Sequence, residues 1–339
     1  MRVLVAGAGA LGSTIALCLA RAGVQVTLVD PAPSGANASA VAAGMLAPAF
    51  ETLFDAAALD FDRLRRARDL WPAFADSIGL ELDRSGAMAV GSPEELDAWA
   101  DGLRNRGIPA VRLSPIAARE KFSWLAAGLA GLWTPEDWRL EPRAALAALR
   151  RAAVGKGVVV VKAGLADFDQ GQAVFDDRPP IAADRLVIAT GASRALVGLA
   201  PELATLIPIK GHILRAPGLA LTGPVVRLEG GYICPAPGGA LIGATMEVGR
   251  DDDIVDPEAV AALRRMAARV LPGAQTASVI AATGVRAATA DGEPLSGPSS
   301  RPGVWIAAGA RRNGWLLAPR IGESLARSIL ADSGPDVLT

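Results

Sequence analysis

Residues 1–30 read MRVLVAGAGALGSTIALCLARAGVQVTLVD. Arg2–Ala6 has the apolar, β-branched character of a strand, a glycine turn follows, apolar residues recur at helical spacing from about Ala10 to Ala22, and Gln25–Val29 returns to strand. This is one strand–helix–strand unit, the opening of a doubly wound α/β fold on a parallel sheet. Gly7-Ala8-Gly9-Ala10-Leu11-Gly12 is a GxGxxG turn in the position such a unit requires. The first glycine permits the tight turn, the second lets backbone approach a pyrophosphate and the third lets helix and strand pack closely, while the helix start offers N–H groups and a favourable dipole. Asp30 lies 18 residues beyond Gly12, at the end of the second strand, where a carboxylate accepts hydrogen bonds from ribose hydroxyls. One arginine before a small apolar run also resembles a signal peptide, but the interior glycines and the direct passage into a second strand argue against that reading.

The rest of the composition narrows the chemistry. The chain has 339 residues, 51% hydrophobic, with 34 Lys+Arg against 35 Asp+Glu, enough to bury the core of two interleaved domains. This balance lacks the basic surplus of a nucleic-acid binder, and the cluster Arg63, Arg65, Arg66 and Arg68 reads as a solvated helix face. No apolar run of about 18 residues is free of glycine, so no transmembrane segment is expected and the cytoplasm is the default compartment. Cys18 and Cys234 have no metal-ligand spacing and His212 is the only histidine, which removes a zinc site, any other multi-histidine metal centre and nearly every Ser/His/Asp scheme. Whatever the chemistry, a cofactor is expected to carry it.

Further along, apolar spacing predicts a helix over 60–78, another after Ser92-Pro93, and a third in AALAALRRAAV ending near Gly155 and Gly157. Val158–Val161 reads as a buried strand and LVIATGA at 186–192 as a second strand ending in a small-residue turn. Short Gly/Pro-punctuated pieces over 208–249 suit an antiparallel sheet, 257–271 is helical, and GVWIAAGA at 303–310 is a buried strand followed by a helix from about Leu316. No internal repeat or long linker interrupts the chain.

The glycine turn leaves NAD or FAD open, and the later segments decide. LVIATGA resembles the strand of flavoproteins whose Thr-Gly turn, here Thr190-Gly191, passes near the cofactor. AAGMLAP at 42–48, PIKGHILR at 208–215, GGYICPAPGGALIGATMEVG from 230, GVRAATADGEPLSG from 284 and ARRNGWLLAP at 310–319 follow one another in the order of the glycine oxidase branch of the D-amino-acid oxidase family, which the chain resembles over essentially its whole length. The resemblance implies a Rossmann-like FAD-binding domain from 1–80, 141–207 and 284–339, interleaved with an α+β substrate domain on an antiparallel sheet from 81–140 and 208–283. It implies non-covalent FAD contacted by Gly7, Gly9, Ala10, Leu11, Gly12, Asp30, Ala43, Gly44, Met45, Thr190, Gly191, Gly309, Arg312, Asn313, Gly314, Trp315 and Leu316. Arg286 would grip a substrate carboxylate, with Tyr232 and Arg312 lining the same pocket. A planar guanidinium suits that task because it forms two charge-assisted hydrogen bonds to a carboxylate.

The implied reaction is oxidation of a small amino acid or amine (glycine, sarcosine or a small D-amino acid) by hydride transfer to the flavin. Oxygen, giving hydrogen peroxide, or another electron acceptor completes the cycle, and in this branch the product can feed thiamine biosynthesis. A dehydrogenase and a non-catalytic flavin-binding protein are the alternatives, and the resemblance leaves assembly as a homo-oligomer open. Three stretches depart from the family pattern: Ala310-Arg311 replaces a histidine-containing stretch, Ala287 follows Arg286 where proline is common, and His212 stands where Gln or Glu is common. Lys210 supplies positive charge near the flavin or is structural.

Overall fold

The structure, a computed structural model, describes residues 1–32, 37–55 and 60–332. β1 (Arg2–Ala6), α1 (Ala10–Arg21) and β2 (Gln25–Asp30) form the opening unit, followed by α2 (Ala38–Val41), β3 (Met45–Leu46) and α3 (Pro48–Phe54). Then come α4 (Phe61–Arg68), α5 (Trp71–Asp76), β4 (Ala87–Val90), α6 (Pro93–Arg104), β5 (Val111–Leu113), α7 (Pro115–Lys121), β6 (Gly131–Thr134), β7 (Trp138–Arg139) and α8 (Pro142–Gly155). A strand-rich stretch holds β8 (Val159–Lys162), β9 (Leu165–Asp169), β10 (Gln172–Phe175), β11 (Ile181–Ala182), β12 (Arg185–Ile188), β13 (Ile207–Pro217), β14 (Val225–Leu228), β15 (Gly231–Ala236), β16 (Gly239–Gly243) and β17 (Glu247–Val248). The chain continues through α9 (Pro257–Ala268), β18 (Ile280–Ala288), β19 (Leu295–Pro298), β20 (Val304–Ala308) and α10 (Gly314–Ala331).

Two large sheets organise these elements. The first has strand order β19-β20-β12-β1-β2-β8 and is parallel except for the β19–β20 pair. Its central strand β1 alternates: Val3 and Val5 face a core built by α1, α8 and α10, while Leu4 and Ala6 face a second core shared with Phe168 and Phe175 of a small β9–β11 sheet. The second sheet runs β17-β13-β16-β15-β14-β4-β6-β5, with β18 also paired to β13, and is antiparallel apart from the β14–β4 pair. One of its faces packs on α9 through Leu214, Val226 and Leu263; the other, carrying Ile213 and Tyr232, packs on α3 and α6 and faces the first sheet's loops.

The opening unit, the antiparallel character of 208–249 and the final buried strand match the sequence reading. The boundary drawn at 284 falls inside β18, a strand of the antiparallel sheet, and 333–339 lie outside the described residues. Val158–Val161 reads as a buried strand; instead β8 is the sheet's outer strand, with Val159 58% exposed, because no described strand pairs beyond it. The single helix expected over 60–78 is two, α4 and α5, and Pro72, which lacks an N–H donor, sits in the first turn of the second. Arg68 does not belong to a solvated face: it is 6% exposed, bonds Glu136 and Asp69 and lies 4.2 Å from the Trp138 ring centroid. The β9–β10 hairpin was not anticipated, although Leu165–Phe175 alternates around Gln170-Gly171, both of which take positive φ. The helix after Ser92 starts with a full capping box, Ser92 and Glu95 each bonding the other's backbone N–H.

Candidate active site

Most of the site residues expected from the sequence surround one cavity of about 1400 Å³, which lies between the two sheets. That exceeds the roughly 300–1,000 Å³ of an ordinary ligand pocket. At one end is the glycine turn. Gly7 has φ +105°, and a Cβ there would fall 2.3 Å from the Ala189 carbonyl oxygen; one at Gly12 would fall 1.9 Å from the Gly7 carbonyl oxygen. Only glycine lets β1, α1 and the turn after β12 approach so closely. The Asp30 carboxylate accepts hydrogen bonds from Ala8 N–H at 2.6 Å and Ala32 N–H at 2.8 Å and lines the cavity, leaving lone pairs for ribose hydroxyls.

Gly7, Gly9, Ala10 and Leu11 line this end, as do Thr190 and Gly191. The Thr190 hydroxyl is buried with no hydrogen-bond partner among the described residues, an orphan that a bound dinucleotide would satisfy. Ala43, Gly44 and Met45 line the middle, with Gly44 at φ +74° tucked beneath the Leu140 carbonyl. Gly309, Arg312, Asn313, Gly314 and Trp315 bring the start of α10 to the same wall, and Trp315 Nε1 donates to the Ser39 carbonyl at 3.0 Å. Two expected contacts differ. Gly12 serves helix packing and does not line the cavity, and Leu316 is fully buried in the core on the far side of the helix start. Neither cysteine lines the cavity; Cys234 is buried in β15, and burial pushes the Cys18 thiol up to about 12.

The other end rests on the antiparallel sheet, where glycines clear a floor. β13 and β18 pair Gly211 with Gly284 and Ile209 with Arg286. A Cβ at Gly211 would fall 2.3 Å from Arg286 Nη1, so the missing side chain is the slot in which the guanidinium lies. Gly243, opposite Tyr232 in the β15–β16 pair, does the same for the phenol: its Cβ would fall 2.6 Å from the Tyr232 hydroxyl. Arg286 donates to the Thr245 carbonyl at 3.2 Å and has no acidic partner among the described residues, which leaves donors facing the cavity. Burial lowers its hold on its proton and raises the Tyr232 phenol well above its ordinary range, so the tyrosine is a neutral hydroxyl.

Three charged residues missed in the sequence complete this end. Glu51 of α3 is 3% exposed, and its Oε1 accepts from Arg312 Nη2 and Arg227 Nη2, each at 2.9 Å. Burial opposes its charge, yet the two arginines outweigh burial and hold the carboxyl below its ordinary range. Asp55 pairs with Arg311 at 2.5 Å and lies 3.7 Å from Arg312 Nη1. Arg312 therefore does more than fix a loop: it ties the start of α10 to both carboxylates of α3's end. Arg227, a lone arginine within the apolar strand VVRL, was the one visible signal; Glu51 in AFETLF carried none.

Lys210 and His212 point to the opposite face of β13. The Lys210 ammonium is fully buried and bonds Asp252 and the Ile254 carbonyl, so it is structural. His212 Nε2 accepts from Asp256 N–H at 3.0 Å, which puts the ring proton on Nδ1, beside Thr245 Oγ1 and Glu247. Together they pin the 245–256 segment, whose Thr245 carbonyl holds Arg286.

A doubly wound sheet whose glycine turn opens onto a cavity of this size defines a dinucleotide-binding enzyme fold. Residues 2–328 match the FAD dependent oxidoreductase family, and the chain belongs to it. FAD is its cofactor, held without a covalent bond. The chain is 32% identical to the glycine oxidase of Geobacillus kaustophilus, over 96% of this chain and 91% of that protein. That enzyme's crystal structure superposes with a TM-score of 0.84 at 29% identity, covering 97% of this chain and 95% of it. A Rhizobium etli oxidoreductase named for thiamine biosynthesis is 31% identical over 98% of both chains. The bifunctional tRNA 5-methylaminomethyl-2-thiouridine biosynthesis protein of Maricaulis maris is 31% identical over 97% of this chain, which spans 52% of it. No described helix is long and apolar enough to cross a membrane.

Proposed function

We propose that the protein oxidises the C–N bond of a carboxylate-bearing amine, with glycine, sarcosine and small D-amino acids as its simplest substrates and oxygen as the acceptor that yields hydrogen peroxide. The observation that carries this reading is Arg286, seated in the Gly211 slot beside Tyr232 with no acidic partner among the described residues. FAD, when bound, supplies the acceptor of two electrons.

The chain's own residues bind, orient and exclude water. Arg286 takes the substrate carboxylate through two charge-assisted hydrogen bonds, each contributing about 1.5–3 kcal/mol in a dry site. Tyr232, kept protonated by burial, has a hydroxyl to donate beside it. Glu51 is committed to two arginines and is a poor proton acceptor, so orientation rather than side-chain base catalysis is the protein's main contribution.

Anaerobic addition of glycine, sarcosine, D-alanine and D-proline to the flavin-loaded protein tests the reading. Bleaching of the flavin absorbance by at least one of them is expected, followed by peroxide formation when oxygen is readmitted. No bleaching by any carboxylate-bearing amine would overturn it; bleaching without reoxidation by oxygen would replace the oxidase with a dehydrogenase.

A further inference from the structure

The carboxylate anchor and its charged neighbours do not account for one wall of the cavity, which is aromatic. Phe50 and Phe54 stack along α3 with ring centroids 5.5 Å apart and planes 25° apart, and Phe54 meets Trp99 of α6 edge to face at 4.9 Å and 89°. The ladder begins at the charged floor, since the Arg227 guanidinium lies 5.9 Å from the Phe50 ring centroid. Phe54 follows Glu51 by three residues, so the two share a face of α3 and the aromatic wall starts one turn from the carboxylate that holds Arg312. Phe54 and Trp99 both line the cavity, and Phe54 is 37% exposed overall. The seat for Trp99 is built in: a Cβ at Gly91 would fall 2.8 Å from its ring. Glu95, which also lines the cavity, has one carboxylate oxygen bonded to the Ser92 N–H at the start of its own helix.

Glycine or sarcosine, fixed by its carboxylate at Arg286, would leave this wall bare. From that we infer that the site's preferred substrate is a carboxylate-bearing amine with a flat, apolar or aromatic group, which stacks against Phe54 and Trp99. Such a group gains the apolar burial of the exposed ring together with the edge or stacked geometry that aromatic pairs favour. It can be carried on nitrogen, as in N-benzylglycine, or on Cα, as in D-phenylalanine, and these place the ring differently relative to the carboxylate. The inference rests on the carboxylate-anchoring role proposed for Arg286.

The flavin-loaded protein tests it with three substrates and two unreactive acids. kcat/KM for N-benzylglycine or D-phenylalanine is expected to exceed that for glycine at least tenfold, and the better of the two identifies where the ring is carried. Benzoate is expected to perturb the flavin spectrum at a concentration at least tenfold below acetate. In Trp99→Ala and Phe54→Ala both ratios should fall towards one. An aromatic-to-glycine ratio of one or less in the parent protein overturns the inference, as do ratios that survive both substitutions. Benzoate selectivity without turnover of any amine leaves the aromatic subsite standing and removes the proposed oxidation; equal binding of the two acids removes the subsite alone, and no spectral response to either, with no turnover, removes the carboxylate anchor as well.

Discussion

Arg286 and Asp30 stand at opposite ends of the cavity and fail in different ways when removed. Arg286→Ala should retain flavin, while kcat/KM for carboxylate substrates falls at least about 100-fold, the equivalent of losing two charge-assisted bonds at about 1.5 kcal/mol each. A near-normal kcat/KM would remove its anchoring role. Asp30→Ala should leave the reaction of the remaining holoenzyme intact but weaken FAD retention about tenfold, measured by flavin release on dilution; unchanged retention would count against the ribose contact. Both residues were legible in the sequence because each sits in a local pattern, one after a glycine turn and one in a short family motif. Glu51 and Asp55 were not legible. Glu51 meets Arg227 and Arg312 at separations of 176 and 261 residues, and only the tertiary fold brings those side chains together.

At the scale of elements, the site depends on what the strands lack. Gly211→Ala would put a methyl group 2.3 Å from Arg286 Nη1, and the guanidinium, as the mobile end of a long side chain, would give way. KM for glycine or sarcosine should rise about tenfold with flavin content unchanged; an unchanged KM would show that the slot does not set the guanidinium's position. Sequence alone marked 208–249 as antiparallel strand but not its register, and register is what sets Gly211 beside Arg286 and Gly243 beside Tyr232. Helix α3 makes a second case. Asp137, 1% exposed, accepts from Ala49 N–H at 2.7 Å and Phe50 N–H at 3.1 Å at the helix start, and burial pushes its carboxyl up from 3.8 to about 6. The folded protein thus holds this proton more tightly than the unfolded chain does, so Asp137's contribution to stability is full below the ordinary carboxylate pKa and is lost as pH rises through about 6. The melting temperature of the parent minus that of Asp137→Asn should decline across this window, and a constant difference would contradict the burial-driven shift.

Across the whole molecule, neither sheet is a contiguous piece of chain. The parallel sheet takes strands from 2–30, 159–188 and 295–308, and the antiparallel sheet from 87–134, 207–248 and 280–288. Helix packing adds to the interlock, since Trp71 of α5 donates to the Trp315 and Leu316 carbonyls at the start of α10. Thermal unfolding followed by flavin fluorescence and by far-ultraviolet ellipticity should therefore give coincident transitions, and a separation between them would reveal a unit that melts alone. The order of elements was readable from periodicity and turn residues, but β8's outer position and the β9–β11 sheet were not, because both follow from which strands find neighbours.

The position of α10 also bears on synthesis. The glycine turn leaves the ribosome some 300 residues before the wall formed by Arg312, Asn313, Gly314 and Trp315. A nascent chain thus carries half a nucleotide cradle over that whole interval, and flavin capture waits on the arrival of one helix.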